Sequence, residues 1–594
     1  MIVQYIIRIA VLVIVIVVQP ISVYAAQQEG SSLSCSTFPL STQGRYIVNN
    51  CNERFKLKSV NWFGASDEGN IPGGLRFKHR DTIVSLLKEK GFNSVRLPFS
   101  NEMLRVNDPV ANWQVSANPD LVGLKPIEVF DAVVKSLTDQ NIAVILNNHT
   151  TYSEWCCGLD SNGLWYSGEY TTDRWVADWV FLTGRYKDNK AVVGADLRNE
   201  VRTANTLHNP NWGGGDMNDW RWTAERAGNA VLAENPDMLI IVEGINWQGA
   251  TPALGGWRPV IEGAKTNPVN LKRPNKLIYA AHNYAYTGPR HMGADSVWYG
   301  NGPKYQDLTL EELRQTIDKE FAFVSELERI YTAPIWLSEF GANFDPSKAS
   351  DLEKKWLENI VDLLIEKDYS FAWWPLNATR VQQVIKLDDY ALLTEDWGQF
   401  RNDWRFEHID RLLTHEGKQG IVGSYAEWRL VNFEGHDNNQ SQTISDWDNG
   451  ANKGTCVDGM RVIGVAQWDR ILCSDMSYGN LWPDNPHTVT VTSETRPRGY
   501  DWAWGTTKYE CPKGYYVAGV SSRSWGTSGV LCAESKNPLG EQCKTLWFDW
   551  GDNRLSQKGA DWAPGVYKSQ AADNQYIAGV AQGNGHAKAI LVCE

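Results

Sequence analysis

The sequence predicts an α/β chain: a (β/α)₈ barrel followed by a smaller, all-β domain with pseudo-threefold character. Three observations carry that prediction. Eight short apolar runs alternate with stretches of helical period between residues 57 and 377. After Glu434 the helical period is lost, and Gly, Trp and Asp accumulate in strand-like pieces. That second region repeats itself three times. At 594 residues the chain also exceeds what one core sustains, since single cores stop growing at about 250–300 residues.

The first 25 residues read as a signal peptide. Arg8 supplies the positive charge, residues 9–18 are unbroken apolar sequence, Pro20 ends that run, and Val23-Tyr24-Ala25 offers the small residues of a cleavage site. The apolar core is shorter than the ~20 residues a spanning helix needs, although an uncleaved anchor is the alternative. Cleavage would change the formal charge from −13 to −14. The expected product is a secreted protein with no membrane contact after processing.

The barrel is expected over residues 36–435. Its strands are read at 57–63, 94–99, 143–149, 193–200, 239–244, 277–284, 335–341 and 370–377. Between them Thr309 with Glu312, and Ser350 with Glu353, have the spacing of capping boxes. Gly91 closes a helix bearing Ile83, Val84, Leu86 and Leu87. An open doubly wound sheet is the competing topology, but no Gly-rich phosphate loop follows the first strand.

Residues 436–445 form a polar run expected to be a linker, and residues 446–594 the three-repeat β domain. Arg461–Val465, Tyr516–Val520 and Tyr576–Val580 each lead to a second apolar strand, and each copy follows an Asp-Trp pair at Asp446-Trp447, Asp501-Trp502 or Asp561-Trp562. A trefoil is one form such a domain could take. Cysteine spacing suggests Cys456–Cys473 and Cys511–Cys532 within repeats, leaving Cys543 for Cys593, with Cys35 and Cys51 stapling the entry to the barrel. Cys156 and Cys157 are adjacent, and either bond each other or each find another partner. Ten cysteines suit an oxidising compartment. Asn377 and Asn439 begin glycosylation sequons, of which only the second lies in an obviously polar loop.

The charge of −13 and pI near 5.4 make nucleic acid and anionic membranes poor partners. No Cys/His set has zinc spacing, so neither a catalytic metal nor a cofactor is expected, and the chain is expected to act as a monomer. The 28 Trp and 23 Tyr favour another partner class. Flat aromatic faces stack on the apolar C–H faces of sugar rings, although any one Trp is more often core.

Polar and ionisable residues gather at the C-terminal ends of the expected strands: Arg96, His149, Asn199-Glu200, His282, Tyr284, Glu339 and Trp374. An unpaired charge within an apolar strand is costly, and in a barrel these side chains converge on one cup. Taken singly, each carboxylate is better explained as a structural ion pair; taken together, they are not.

Those positions resemble glycoside hydrolase family 5, over residues 45 to about 400. Asn199-Glu200 ending the fourth strand and Glu339 ending the seventh match the family's catalytic pattern. Trp155-Cys156-Cys157 and Leu197-Arg198-Asn199-Glu200 resemble its plant-like branch. The eighth strand departs from the family's usual Trp-Ser-Trp-Asn-Pro type of ending, reading Trp373-Trp374-Pro375-Leu376-Asn377.

The resemblance implies a retaining glycosidase with Glu339 as nucleophile and Glu200 as acid/base, their carboxyl groups about 5 Å apart. Glu200 should then carry the raised pKa. Arg96, His149, Asn199, His282, Tyr284 and Trp374 form the expected substrate-binding set. Arg96 and Tyr284 would orient Glu339, and Asn199 would meet the sugar's 2-hydroxyl. Glu243 is read as a network member, and Trp155, Trp165 and Tyr152 as candidate sugar platforms. The expected substrate is a β-linked polysaccharide or oligosaccharide, β-1,4-glucan first, with mannan, β-1,3-glucan and glycolipid glycosides open. An inactive carbohydrate-binding barrel is the alternative from another class. For residues 446–594, glycan binding and structural stapling both remain open.

Overall fold

The computed structural model describes residues 35–157, 160–205, 208–246, 261–288, 303–381, 385–441, 443–444, 446–475, 487–524 and 526–594. The expected signal peptide lies outside them. Eight parallel strands close into a barrel in chain order: β1 (Lys58–Asn61), β2 (Ser94–Ser100), β3 (Ala143–Thr150), β4 (Val192–Asp196), β5 (Leu239–Glu243), β6 (Leu277–His282), β7 (Ile335–Phe340) and β8 (Ser370–Trp373). Each overlaps one of the eight expected runs. The surrounding helices are α1 (Arg80–Lys90), α2 (Pro126–Asp139), α3 (Thr172–Arg185), α4 (Trp220–Glu234), α5 (Leu310–Glu320), α6 (Asp351–Glu366) and α7 (Phe406–Thr414). Between β5 and β6 the described residues carry only a 3₁₀ turn, Glu262–Lys265. No described helix is long and apolar enough to cross a membrane.

Local chemistry sets the helix ends. Gly91 takes φ 103°, a left-handed conformation, and closes α1 by donating its N–H to the Leu87 and Lys88 carbonyls. Thr309 and Glu312 form the full reciprocal capping box of α5. The second expected box is only half made. Ser350 Oγ caps the Glu353 N–H, but the Glu353 carboxylate turns to the Asn343 N–H, 2.9 Å away. Asn377 is fully buried and exchanges two hydrogen bonds with the Phe63 backbone, so its sequon is not a surface loop.

The barrel interior is apolar at one end and polar at the other. Leu239, Ile241 and Glu243 succeed one another at period two on β5, as do Ile278, Ala280 and His282 on β6. The apolar members join Leu57, Ala143, Ile145, Val193, Trp336 and Ala372 in one cluster, capped from below by Leu40 and Ile47 of the N-terminal hairpin. The polar members face the strands' C-terminal ends. Strand β7 breaks the rule: its pairing with both neighbours slips around Ser338, a bulge that turns Glu339 inward.

The β region begins earlier than the sequence suggested. Its first strand is Trp428–Asn432, which pairs with Arg470–Ser474. The expected linker is already folded within it, because Asn438–Asn439 pair with Gly454–Thr455 and the Asn439 amide donates to the Ile444 carbonyl at 2.6 Å. Polar composition there reflects a turn-rich edge rather than a free tether. The threefold relation is carried by three sheets of four or five strands. Each sheet is built on one repeat hairpin and takes a strand from another repeat: Lys568–Gln570, Asn452–Thr455 or Thr507–Glu510. All three sheets feed one apolar core. The Asp-Trp pairs prove structural. Each repeat folds around a buried lysine, and Lys453, Lys508 and Lys568 are held by Asp446, Asp501 and Asp561 at 3.0, 2.9 and 2.8 Å. Disulfides join Cys35–Cys51, Cys156–Cys157, Cys456–Cys473, Cys511–Cys532 and Cys543–Cys593.

This region docks on the loops that enter β6 and β7. Ile330 and Tyr331 pack with Trp428, Leu430 and Trp562, and Asn270 Nδ2 donates to the Leu430 carbonyl at 2.9 Å. The contact is therefore at the opposite end of the strands from Glu339.

Candidate active site

Arg96 is the keystone of the polar layer. Fully buried, it donates to Asp196 at 2.7 Å, Asn61 at 3.0 Å, Glu339 at 2.5 Å, Asn199 at 2.7 Å and Glu243 at 2.9 Å. Burial opposes its charge, but the Asp196, Glu339 and Glu243 carboxylates outweigh burial. The second Glu339 oxygen accepts from Tyr284 at 2.9 Å. Both oxygens of Glu339 are thus held, and its direction is set by Arg96 and Tyr284.

Glu200 is positioned differently. It sits four residues beyond β4 with φ 43°, a left-handed conformation unusual for a side chain of this kind. Its N–H donates to Glu243 Oε2 at 2.8 Å, and its carboxylate accepts from His282 Nδ1 at 2.9 Å. Nε2 of His282 lies 3.4 Å from Glu243 Oε1, an ion-pair distance without hydrogen-bond geometry. The Glu200, His282 and Glu339 side chains each place a donor atom within 4.8 Å of the other two. Such a triad could in principle hold a cation, but Arg96 and the His282 proton already serve these carboxylates.

Four carboxyl groups, Asp196, Glu200, Glu243 and Glu339, share two cationic partners. Burial alone would neutralise His282, yet Glu243, Glu339 and Glu200 push it up to about 10, so it is charged at neutral pH. Glu243 is lowered, because His282 and Arg96 overcome its burial. Burial pushes Asp196 up to about 7 against Arg96, and raises Glu339 against the pull of His282 and Arg96. Two positive charges balance two of the four carboxylates, which leaves room for two protons in this layer. His149 has the opposite character. Burial, then Arg96, holds it well below the usual histidine range. Asn147 donates its amide to Asp196, so its oxygen accepts from His149 Nδ1 at 2.8 Å. Neutral His149 therefore keeps Nε2 as an acceptor.

Above this layer opens a cavity of about 250 Å³. Of the expected site residues, His149, Asn199, Glu200, Tyr284, Glu339 and Trp374 line it. Arg96 and His282 do not: they lie beneath its floor, spent on the ion-pair layer, and act on a ligand only through the carboxylates. Trp374 is fixed by ring stacking, with centroids 5.5 Å from His149 and 5.3 Å from Phe63. Trp155 lines the cavity, as expected of a platform. Trp165 does not; it is fully buried and stacks on Trp220 at 5.2 Å, a core role. Tyr152 packs edge-on against Tyr170 and is not among the lining residues. The Cys156–Cys157 disulfide also lines the wall, with both sulfurs 3.5 Å from the Asn199 amide nitrogen.

Several members escaped the sequence reading. Asn61, Asn147 and Asp196 are polar residues inside apolar strands, the same signal that singled out Arg96. Tyr286 and Tyr390 come from loops after β6 and β8, and Arg380 from the short strand Thr379–Val381 beyond β8, where no periodicity marks them.

The family model Cellulase (glycosyl hydrolase family 5) matches residues 54–380. An endoglucanase from Paenibacillus polymyxa is 33% identical over 360 residues, covering 60% of this chain and 82% of that protein. The major extracellular endoglucanase of Xanthomonas campestris pv. campestris is 31% identical over 369 residues, covering 60% of this chain and 68% of that protein. Among solved structures, the hyperthermophilic endocellulase of Pyrococcus horikoshii superposes with TM-score 0.52 at 25% identity, over 64% of this chain and 100% of that one.

Proposed function

Because the chain belongs to glycoside hydrolase family 5, the cellulase family, we propose that it is a secreted endoglucanase hydrolysing β-1,4-linked glucan with retention of configuration. It is a glycosidase acting on O-glycosyl bonds; the sugar, the linkage and the residue roles are the proposal. One observation carries the mechanism: Glu200 and Glu339 bring carboxylate oxygens within 4.8 Å of each other. Retaining enzymes space their carboxyl groups at about 5–5.5 Å, whereas inverting ones leave about 6.5–9.5 Å for a water.

Glu339 attacks the anomeric carbon as the glycosidic bond breaks, and Glu200 gives its proton to the departing oxygen. Water then adds to the glycosyl-enzyme, Glu200 takes a proton from that water, and Glu339 leaves as a carboxylate. The two fixed donors on Glu339, Arg96 and Tyr284, suit it to the nucleophile's place although burial raises its pKa, and the proton that Glu200 donates is part of the proposal. Asn199, with its oxygen committed to Arg96, offers its NH₂ to the 2-hydroxyl, and His149 Nε2 accepts from a neighbouring hydroxyl. For the substrate, support comes from the relatives named endoglucanase and from a Pyrococcus horikoshii endocellulase structure described with cellotetraose, 25% identical with TM-score 0.52. Secretion is supported by the N-terminal apolar run and by disulfides on both parts of the chain.

The test is hydrolysis of soluble cellulose, mannan and β-1,3-glucan, with product configuration read by proton NMR. Expected are β-configured products first, from cellulose above the other two, and loss of activity in Glu339→Ala. With added azide, Glu339→Ala should instead yield an α-glycosyl azide. Initial α-configured sugar from the wild type would overturn retention, and a preference for mannan would overturn the substrate.

A further inference from the structure

The β region holds a second cavity, of about 270 Å³, remote in sequence from the glutamates. It lies where the turns of the three repeat hairpins converge. Val465, Ala466 and Trp468–Ile471 of the first repeat, Val520 and Thr527 of the second, and Gly585–Ala587 of the third all line it. The turns are tied together around it. Ser522 of the second repeat donates to Asp469 of the first at 2.6 Å. Gly526 abuts the third turn so closely that a Cβ there would meet the Gly585 backbone at 3.3 Å.

The first turn is the anomaly. In the third repeat the equivalent tight turn is Asn584-Gly585, at φ 51° and 88°, the residue pair best suited to a two-residue hairpin with both centres left-handed. The first repeat's hairpin is shorter and closes across three residues, Gln467–Asp469, of which Trp468 and Asp469 are left-handed, at φ 62° and 56°. A tryptophan is disfavoured in that conformation. Burial offsets this only in part, since Trp468 remains 51% exposed on the cavity wall. Local strain at an exposed aromatic has no folding rationale and points to a ligand.

We propose that this cavity is a saccharide-binding site, with Trp468 as its stacking platform. The lining chemistry selects the class. Glu434 and Asp469 face Arg470, which lies 3.5 Å from Glu434, so no excess of positive charge favours an anion. A neutral ligand rich in hydroxyls pairs with such a mixed set, and the indole face takes its C–H side. The volume equals about nine water molecules at ~30 Å³ each, room for a single sugar residue rather than a long chain. That the saccharide is a β-1,4-glucan rests on the hydrolase reading above.

The experiment uses the full chain carrying Glu339→Ala, run in native gels cast with soluble hydroxyethyl cellulose. Trp468→Ala, and the pair Trp468→Asn with Asp469→Gly that puts the third repeat's turn residues at the two left-handed positions, are compared with the unaltered β region. Retardation should weaken about tenfold or more in both. The Asn-Gly pair should melt no lower than its parent, which excludes misfolding as the cause. With Glu339 intact, both should hydrolyse an aryl β-cellobioside at the parental rate. Retardation indifferent to both changes would overturn the site. Failure of the hydrolase reading shows separately, as no cleavage by the chain with Glu339 intact.

Discussion

Glu243→Gln isolates a carboxylate that touches neither nucleophile nor substrate yet supports the acid/base. Its Oε1 accepts from Arg96 at 2.9 Å and its Oε2 from the Glu200 N–H at 2.8 Å. Whichever way the glutamine amide is placed, its NH₂ faces one of these two donors. An unmade bond of this kind costs about 1–3 kcal/mol, and stripping one partner from a buried ion pair costs about 3–5 kcal/mol. Keeping the amide oxygen on the charged Arg96 is the cheaper choice, so the Glu200 N–H loses its tether. Glu200 then drifts, and a misplacement of about 1 Å costs about a hundredfold in rate. The loss should fall on proton donation. Unactivated phenyl β-cellobioside should slow by about a hundredfold, whereas a dinitrophenyl glycoside, whose leaving group departs without a proton, should slow by under about tenfold. Initial rates on the two substrates, with a melting curve showing a drop of several degrees, make the assay. Equal slowing on both would move the defect to Glu339 and refute the tethering role.

Two further predictions follow from the site's neighbours. His282 titrates at about 10 in the fold against 6.5 for the ordinary side chain, so its stabilising contribution is complete below pH 6.5 and lost as pH rises through about 10; the melting temperature should fall between pH 7 and 10, and fall less steeply in His282→Gln. The two tryptophans after β3 should separate: Trp165→Ala should lose about 3–5 kcal/mol of stability with an unchanged KM in the folded fraction, and Trp155→Ala should raise KM with little change in melting temperature.

Most of the barrel was legible because its strands are apolar runs bounded by capped helices, and periodicity reports burial directly. The strand-end residues were legible for a related reason: Arg96, Glu200 and Glu339 violate an apolar pattern where such violations are costly. Depth was not legible. Arg96 and Glu339 are both strand-end charges, yet one lies under the floor and the other on it, a difference decided by a bulge at Ser338 that no residue type announces. Trp155 and Trp165 likewise share a loop and a composition, and only packing against Trp220 sends one to the core. The polar run at 436–445 misled because edge strands and turns use the same residues as linkers.

Both catalytic candidates therefore sit where a local rule is broken, Glu339 at a slipped register and Glu200 at φ 43°. Strict period-two alternation would aim neither at the other, so the surrounding hydrogen bonds must hold each departure in place. Glu200 offers a direct measure of that strain. At an ordinary position replacing glycine by alanine helps stability, since glycine loses more backbone freedom on folding. In the left-handed region the order should invert, because a Cβ is opposed there by about 1 kcal/mol or more. Both Glu200→Ala and Glu200→Gly remove the carboxylate and its bond to His282, so those losses cancel in the comparison. Glu200→Gly should therefore melt higher than Glu200→Ala, by a few degrees, while both lose activity alike. If alanine proves the more stable, the backbone at residue 200 is not strained, and its direction comes from the Glu243 tether alone.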